Sequence, residues 1–407
     1  MPNKSRRTSP TPSTANDLTT FEAGALLERP PRVVLYLGAG ASQFAGYRTF
    51  AEFPRLLFNQ DVRKKEELPP IPDNAARLLQ DIKVSLEGTD GWTTHDRFLW
   101  RLNEYQQILT LNLSDPAVQP FLRPASQQLF ELSCCTTAAR NVMAQTTVRH
   151  YSSNRVVEAR SADPALHSNM RRVYDLYMKM AALNKSTGCL PVFTTNYDML
   201  LDDLCTEFAD DSRRAPLANG FPHIRDEGEK WQPHTCSGYC NSCSVLQYYR
   251  LHGCAAWFYA EPGDPNVYFR RSDASTEPIT NLCAMYPGLE RERGAGPHGH
   301  GFRALYRLLR VCNVIVFIGF SFRDDDVMHV ILNALAERPN DLKLLIVDSA
   351  FTETNIVSRL AKAARRSAFP ARPPVAGSIK GLKLQFGIDA GFDVSVFDEC
   401  QKLMRKG

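Results

Sequence analysis

Apolar positions along this chain fall into two patterns. The first is a set of short, uninterrupted runs: Val33–Leu37, Cys189–Thr195, Asn313–Ile318 and Leu342–Asp348, each ending in a small or polar residue. Runs of β-branched and aliphatic residues without polar alternation predict strands buried on both faces of a parallel sheet. The second pattern has helical spacing, as in Phe98, Leu102, Tyr105 and Ile108, or Val173, Leu176, Tyr177 and Met180. It dominates from Ala51 to about Asn184 and predicts a mostly helical region between the first and second strands. Helical patterns also follow the later strands, at Met199–Leu204 and from near Asp325. The predicted fold class is α/β: a Rossmann-like doubly wound parallel sheet with a large helical insertion, its ligand at the carboxyl ends of the strands.

The boundaries follow from the same patterns. Residues 1–30 read as a disordered tail rich in Ser, Thr and Pro. Residues 31–60 and 189–407 form the sheet domain, and 61–188 the helical insertion. Residues 209–249, dense in Gly, Pro, Asp, His and Cys, form an irregular excursion within the sheet domain. A Pro-rich patch at Phe369–Pro374 precedes Val394–Phe397, read as the last strand, and Asp398–Arg405, read as the last helix.

Composition narrows the function classes. With 407 residues, 43% hydrophobic and 23% charged, the chain is long enough for a full α/β domain plus an insertion. Its net charge of +4 is mild, and no Lys/Arg run is dense enough to track a phosphate backbone, so direct nucleic-acid binding is not expected. The amino terminus has no apolar secretory segment, and Val311–Phe320, the longest apolar candidate, is broken by Asn313 and Gly319. A cytoplasmic protein away from membranes is the expectation. Eleven scattered cysteines then read as reduced thiols. The cluster His234, Cys236, Cys240 and Cys243 has the density of a zinc site or is a loose thiol-bearing loop, and the sequence leaves both open.

Candidate chemistry sits at the strand ends. Gly38-Ala39-Gly40-Ala41-Ser42 would let a backbone approach a diphosphate, with N–H groups at a helix start, or would simply make a turn. The third glycine of the dinucleotide fingerprint is missing: Gln43 stands there and the next glycine is Gly46. Asn196 and Asp198 suit either a helix cap or a site that holds water and an amide. His252 could exchange a proton near neutral pH or could close a buried strand. Asp348 could accept from a ribose hydroxyl or cap a helix, and Arg48 could meet phosphate or stay on the surface.

Four motifs in order carry a resemblance. They are Gly38-Ala39-Gly40-Ala41-Ser42 with Gly46-Tyr47-Arg48-Thr49-Phe50; Thr194-Thr195-Asn196-Tyr197-Asp198; Leu251-His252-Gly253; and Gly319-Phe320-Ser321-Phe322 with Asp324. Together they resemble the sirtuin superfamily, and more closely its bacterial sirtuin-like branch than the protein deacetylases. The resemblance implies NAD⁺ as substrate, with His252, Asn196 and Asp198 as the catalytic group. It implies contacts to the nucleotide from Gly38, Ala39, Gly40, Ser42, Arg48, Thr49, Phe50, Thr195, Gly319, Ser321 and Asp348. Deacetylases carry a proline before, and an arginine after, the phenylalanine of the first loop, where Arg48 and Ala51 stand here; nor is there an F-G-E-x-x-P segment between Trp257 and Asn313. Sirtuin-like proteins with a helical insertion and this pattern are typically NAD⁺ hydrolases of bacterial anti-phage defence, so the resemblance implies an NAD⁺-depleting effector of abortive infection. The implied assembly is a homo-oligomer, with a HerA-type ATPase or a short Argonaute as partner. A protein deacylase and a non-catalytic NAD⁺ or ADP-ribose sensor are the alternatives.

Overall fold

The computed structural model describes residues 31–48, 52–65, 67–68, 70–90, 101–102, 105, 126–209, 217–221, 230–232, 245–259, 267–269, 282–284, 296–366 and 378–406. The strands among them are β1 (Val33–Leu37), β2 (Leu190–Thr194), β3 (Leu217–Ala218), β4 (Leu246–Arg250), β5 (Gly253–Tyr259), β6 (Val267–Phe269), β7 (Leu282–Ala284), β8 (Val314–Ile318), β9 (Lys343–Val347) and β10 (Ile379–Leu382). The helices are α1 (Phe53–Phe58), α2 (Gln60–Lys65), α3 (Asp73–Asp90), α4 (Ser126–Tyr151), α5 (Arg155–Ala162), α6 (Pro164–Leu183), α7 (Leu200–Phe208), α8 (Gly296–Leu309), α9 (Asp325–Glu337), α10 (Glu353–Arg366) and α11 (Phe392–Lys406). None of the described helices is long and apolar enough to cross a membrane.

Seven strands form one sheet in the order β10-β9-β8-β1-β2-β4-β3, every pair parallel. A three-stranded antiparallel sheet, β6-β5-β7, follows directly from the end of β4. The run Val33–Leu37 shows why parallel strands lack polar alternation. Val33, Leu35 and Leu37 pack into a core with α4, α6, α7 and α11, whereas Val34 and Tyr36 pack into a second core with α8, α9 and α10. Asn184 ties the entry of the sheet together: its amide donates to the carbonyls of Val33 and Cys189 and accepts from the N–H groups of Arg32 and Val33.

The chain leaves β1 toward β2 on one side and returns through β8 on the other, so the order reverses at β1. In a doubly wound sheet that reversal opens a crevice beyond the carboxyl ends, where ligands bind.

Three readings of the sequence are corrected. Val394–Phe397 is not a strand but part of α11, in which Phe392, Val396, Cys400 and Met404 are buried one turn apart while Val394 is exposed. The sheet's edge is instead β10. The stretch read as irregular up to Tyr249 ends in β4, whose mixed composition hides it because Gln247 and Arg250 are both buried. The first glycine loop leads into two short 3₁₀ turns, Ala39–Ala41 and Gln43–Ala45, and not into an α-helix. The predicted tail lies outside the described residues.

Candidate active site

Two glycine loops meet at the reversal point. The N–H of Gly38 donates to Ile318 O (2.9 Å) and that of Gly40 to Gly319 O (3.0 Å), so the loops after β1 and β8 are stitched backbone to backbone. A Cβ on Gly38 would overlap Gly319, and one on Gly319 would overlap Gly40 and Ala41. These glycines therefore serve close packing, and the N–H groups of Gly38 and Gly40 are already engaged within the protein. Phe322 completes the second loop at φ +55, held there by ring contacts with Phe317 and Phe320.

The loop after β2 leans on the first. Thr194 donates from Oγ1 to Leu37 O (2.8 Å) and accepts from the N–H of Asn196 (2.9 Å), fixing the turn. Asn196 Nδ2 then donates to Gly38 O (2.9 Å) and Ser42 Oγ (3.2 Å). Its Oδ1 is buried and, among the described residues, without a hydrogen-bond partner. An unsatisfied buried acceptor costs on the order of 1–3 kcal/mol, which marks it as a place for a water or a ligand donor. Asp198 accepts from Leu200 N (3.1 Å) and from the Ser42 hydroxyl, and burial pushes its carboxyl above the usual carboxylate range. A small pocket opens here between Ser42, Asn196, Asp198, Tyr177 and Tyr248.

Beneath this loop lies a cation that sequence reading missed. Arg250, at the end of β4, has a fully buried side chain that pairs with Asp202 on α7, stacks on Tyr248 and donates to Asp198 O (2.7 Å). Burial works against its charge, but the Asp202 carboxylate more than offsets this, so the guanidinium stays charged. The one hint in sequence is an arginine among tyrosines directly before Leu251-His252.

His252 follows on the next turn, beside β2, for Leu251 N donates to Thr194 O (2.8 Å). Its side chain is 4% exposed, and neither ring nitrogen completes a hydrogen bond among the described residues. Nε2 nevertheless lies 2.9 Å from Oδ2 of Asp324, a close ion-pair approach to one side of the N–H direction. Asp324 accepts through its other oxygen from Asp326 N and Val327 N, both at 3.1 Å, as the N-cap of α9. Behind the turn, His298 Nδ1 bonds Leu251 O (3.1 Å) while its Nε2 faces Cys283 Sγ (3.3 Å), whose thiol burial pushes up to about 12.

Ser42, Asn196 and Asp198 thus form one connected group with the Gly38 carbonyl, and His252 stands at the end of the neighbouring strand. Thr195 is buried in the same loop and Ala39 lies in the first 3₁₀ turn. Ser321 is exposed, its carbonyl accepting from Arg359 (2.8 Å). Asp348 caps its own turn through Ala350 N (2.7 Å). Arg48 is held by its main chain: its N–H donates to His150 Nε2 (3.0 Å) and its carbonyl accepts from Tyr151 OH (2.9 Å). Thr49, Phe50, His234, Cys236, Cys240 and Cys243 lie outside the described residues. Among the described residues no cluster of three His, Cys, Asp or Glu could hold a metal.

Residues 191–366 match the family model described as the SIR2-like domain. The match runs from β2 to α10; β1 lies outside it and pairs with β2 and β8 within the same sheet. No curated protein matches the chain. Among solved structures, a mutant of Sir2 homologues in complex with 2'-O-acetyl ADP ribose is 10% identical, covers 97% of each chain and has a TM-score of 0.35. A mutant Sir2 homologue–ADP ribose complex is 12% identical over 95% of this chain and 96% of that one, with a TM-score of 0.37.

Proposed function

Taking the SIR2-like domain over residues 191–366 as the premise, we propose that the protein hydrolyses NAD⁺ to nicotinamide and ADP-ribose. The observation that carries the reading is the pair of buried, unsatisfied polar groups at the carboxyl ends of β2 and β4, Asn196 Oδ1 and the His252 ring. Both sit where a doubly wound sheet binds nucleotides.

The bond between nicotinamide and ribose breaks with its electron pair leaving on the nicotinamide ring, and positive charge builds at the anomeric carbon. A water oxygen forms the new bond to that carbon, and His252 takes the water's proton or that of a ribose hydroxyl. Asn196 offers Oδ1 to orient the hydroxyl or water while its Nδ2 is held by Gly38 and Ser42. Asp198, kept by burial toward its protonated form, can both donate to and accept from a carboxamide. The small residues of the two glycine loops leave room for a diphosphate beside the backbone, with Arg48, Ser321 and Asp348 as the further candidate contacts to the nucleotide.

Unchecked hydrolysis of NAD⁺ would kill its host, so the activity must be gated. With the branch resemblance of the four motifs, this supports an NAD⁺-depleting effector of anti-phage defence, controlled by self-assembly or by a partner protein. The test is nicotinamide release from NAD⁺ by the full chain and its His252→Ala variant, with and without an acetylated peptide. Peptide-independent release, lost in the variant, is the expected result. Release that requires the peptide would make the protein a deacylase instead.

A further inference from the structure

We propose that Asp324 is the positioning residue of His252, holding the imidazole with its proton on Nε2 so that Nδ1 is the atom that accepts the substrate's proton. The inference deepens the hydrolase reading and rests on it for the identity of the proton donor.

Two observations combine. The Asp324 carboxylate cannot turn freely, because one oxygen accepts from two N–H groups at the start of α9. Its second oxygen is thereby aimed at His252 and stands 2.9 Å from Nε2, with the two side chains 4% and 13% exposed. A neutral imidazole has one donor and one acceptor nitrogen, and the partner of one decides the role of the other. A carboxylate can only accept, so the N–H belongs on Nε2. Nδ1 is then a bare, buried nitrogen without a protein partner among the described residues. The contact is close but off-line, and a catalytic hydrogen bond of this kind tightens in the complex with substrate. In sequence the capping role is legible, since Asp324 precedes a helical pattern; the second contact comes from a residue 72 positions earlier, as 324 minus 252 gives.

Asp324→Asn separates cap from charge. Asparagine caps a helix about as well as aspartate. With its oxygen kept on Asp326 and Val327, its amide NH₂ would face Nε2, a donor against a donor, and would drive the proton to Nδ1. The measurement is the ¹⁵N spectrum of the full chain with labelled histidine, without ligand, the His252 signals being assigned by their loss in His252→Ala. The expected result is an Nε2–H, bare Nδ1 ring in the wild type and the reverse in Asp324→Asn. The same variant should lose roughly 10²–10⁴-fold in kcat for nicotinamide release with KM nearly unchanged. Asp324→Ser, which caps without reaching the ring, should give a mixture of tautomers. A proton on Nδ1 in the wild type, both nitrogens protonated, or a spectrum unmoved by Asp324→Asn would each overturn the proposal. A wild type that releases no nicotinamide would speak against an ungated hydrolase, and the spectrum, which needs no turnover, would still decide the tautomer.

Discussion

Asp198 and Arg250 are buried ionisable groups of opposite character, one in the loop after β2 and the other beneath it at the end of β4. Burial raises the carboxyl of Asp198 above its ordinary value of 3.8. Its contribution to stability is therefore full below that value and is lost as pH rises through the raised folded-state value. Relative to wild type, Asp198→Asn should gain stability as pH climbs above about 4, the ordinary value of the carboxyl. Urea titrations at several pH values check this, and a pH-independent difference would refute it. Arg250 is the opposite case, since its removal strands Asp202 without a counter-charge in the interior. Arg250→Met should cost about 3–5 kcal/mol in denaturant unfolding. Asn196, Asp198 and His252 stood out in the sequence because they lie in motifs that resemble a family, and Asn196 and Asp198 also follow an apolar run that ends abruptly. Arg250 was not, because a buried arginine is read as a surface residue until its carboxylate, 48 residues away, is known.

At the scale of elements, the two glycine loops behave as one packed unit. Gly319 has φ +61 and its Cα faces the backbone of Gly40 and Ala41, with no flexible side chain to yield. Gly319→Ala should cost about 3 kcal/mol or more, combining left-handed strain with backbone overlap. Gly46 also has a positive φ, +88, but open space around it, so Gly46→Ala should cost only about 1 kcal/mol. Equal losses in thermal unfolding would show that conformation alone, and not loop contact, governs Gly319. The strands β1, β2, β8 and β9 could be placed within a residue or two because full burial on both faces leaves a continuous apolar run. β10 is short and partly polar, β6 and β7 span only three residues each, and the valines near Val394 carry strand propensity that helical packing overrides.

Across the whole molecule, the region inserted between β1 and β2 reaches back to the segment that follows the first glycine loop. The end of α4 holds the main chain of Arg48 at both its N–H and its carbonyl, and Tyr47 donates to Ser153 O (2.7 Å). His150→Phe would leave the Arg48 N–H without that acceptor, at a cost of about 1–3 kcal/mol. Hydrogen exchange at Tyr47 and Arg48 should speed up in this variant, and NAD⁺ binding measured by calorimetry should weaken. Unchanged exchange would uncouple the helix from the loop. Such a link was invisible in the sequence, where helical periodicity announces a helix but not the loop it grips.

The strand at the centre of the sheet is also the first to leave the ribosome. Its partner on one side begins with residues 281 positions later, as the Arg32–Asn313 contact records. Pairing over that distance must wait for most of the chain to be synthesised. Until β8 emerges, the first glycine loop has nothing to lie against, and Asp324 has not been made. A chain that stops short of β8 therefore lacks both the surface on which the first glycine loop packs and the carboxylate that faces His252.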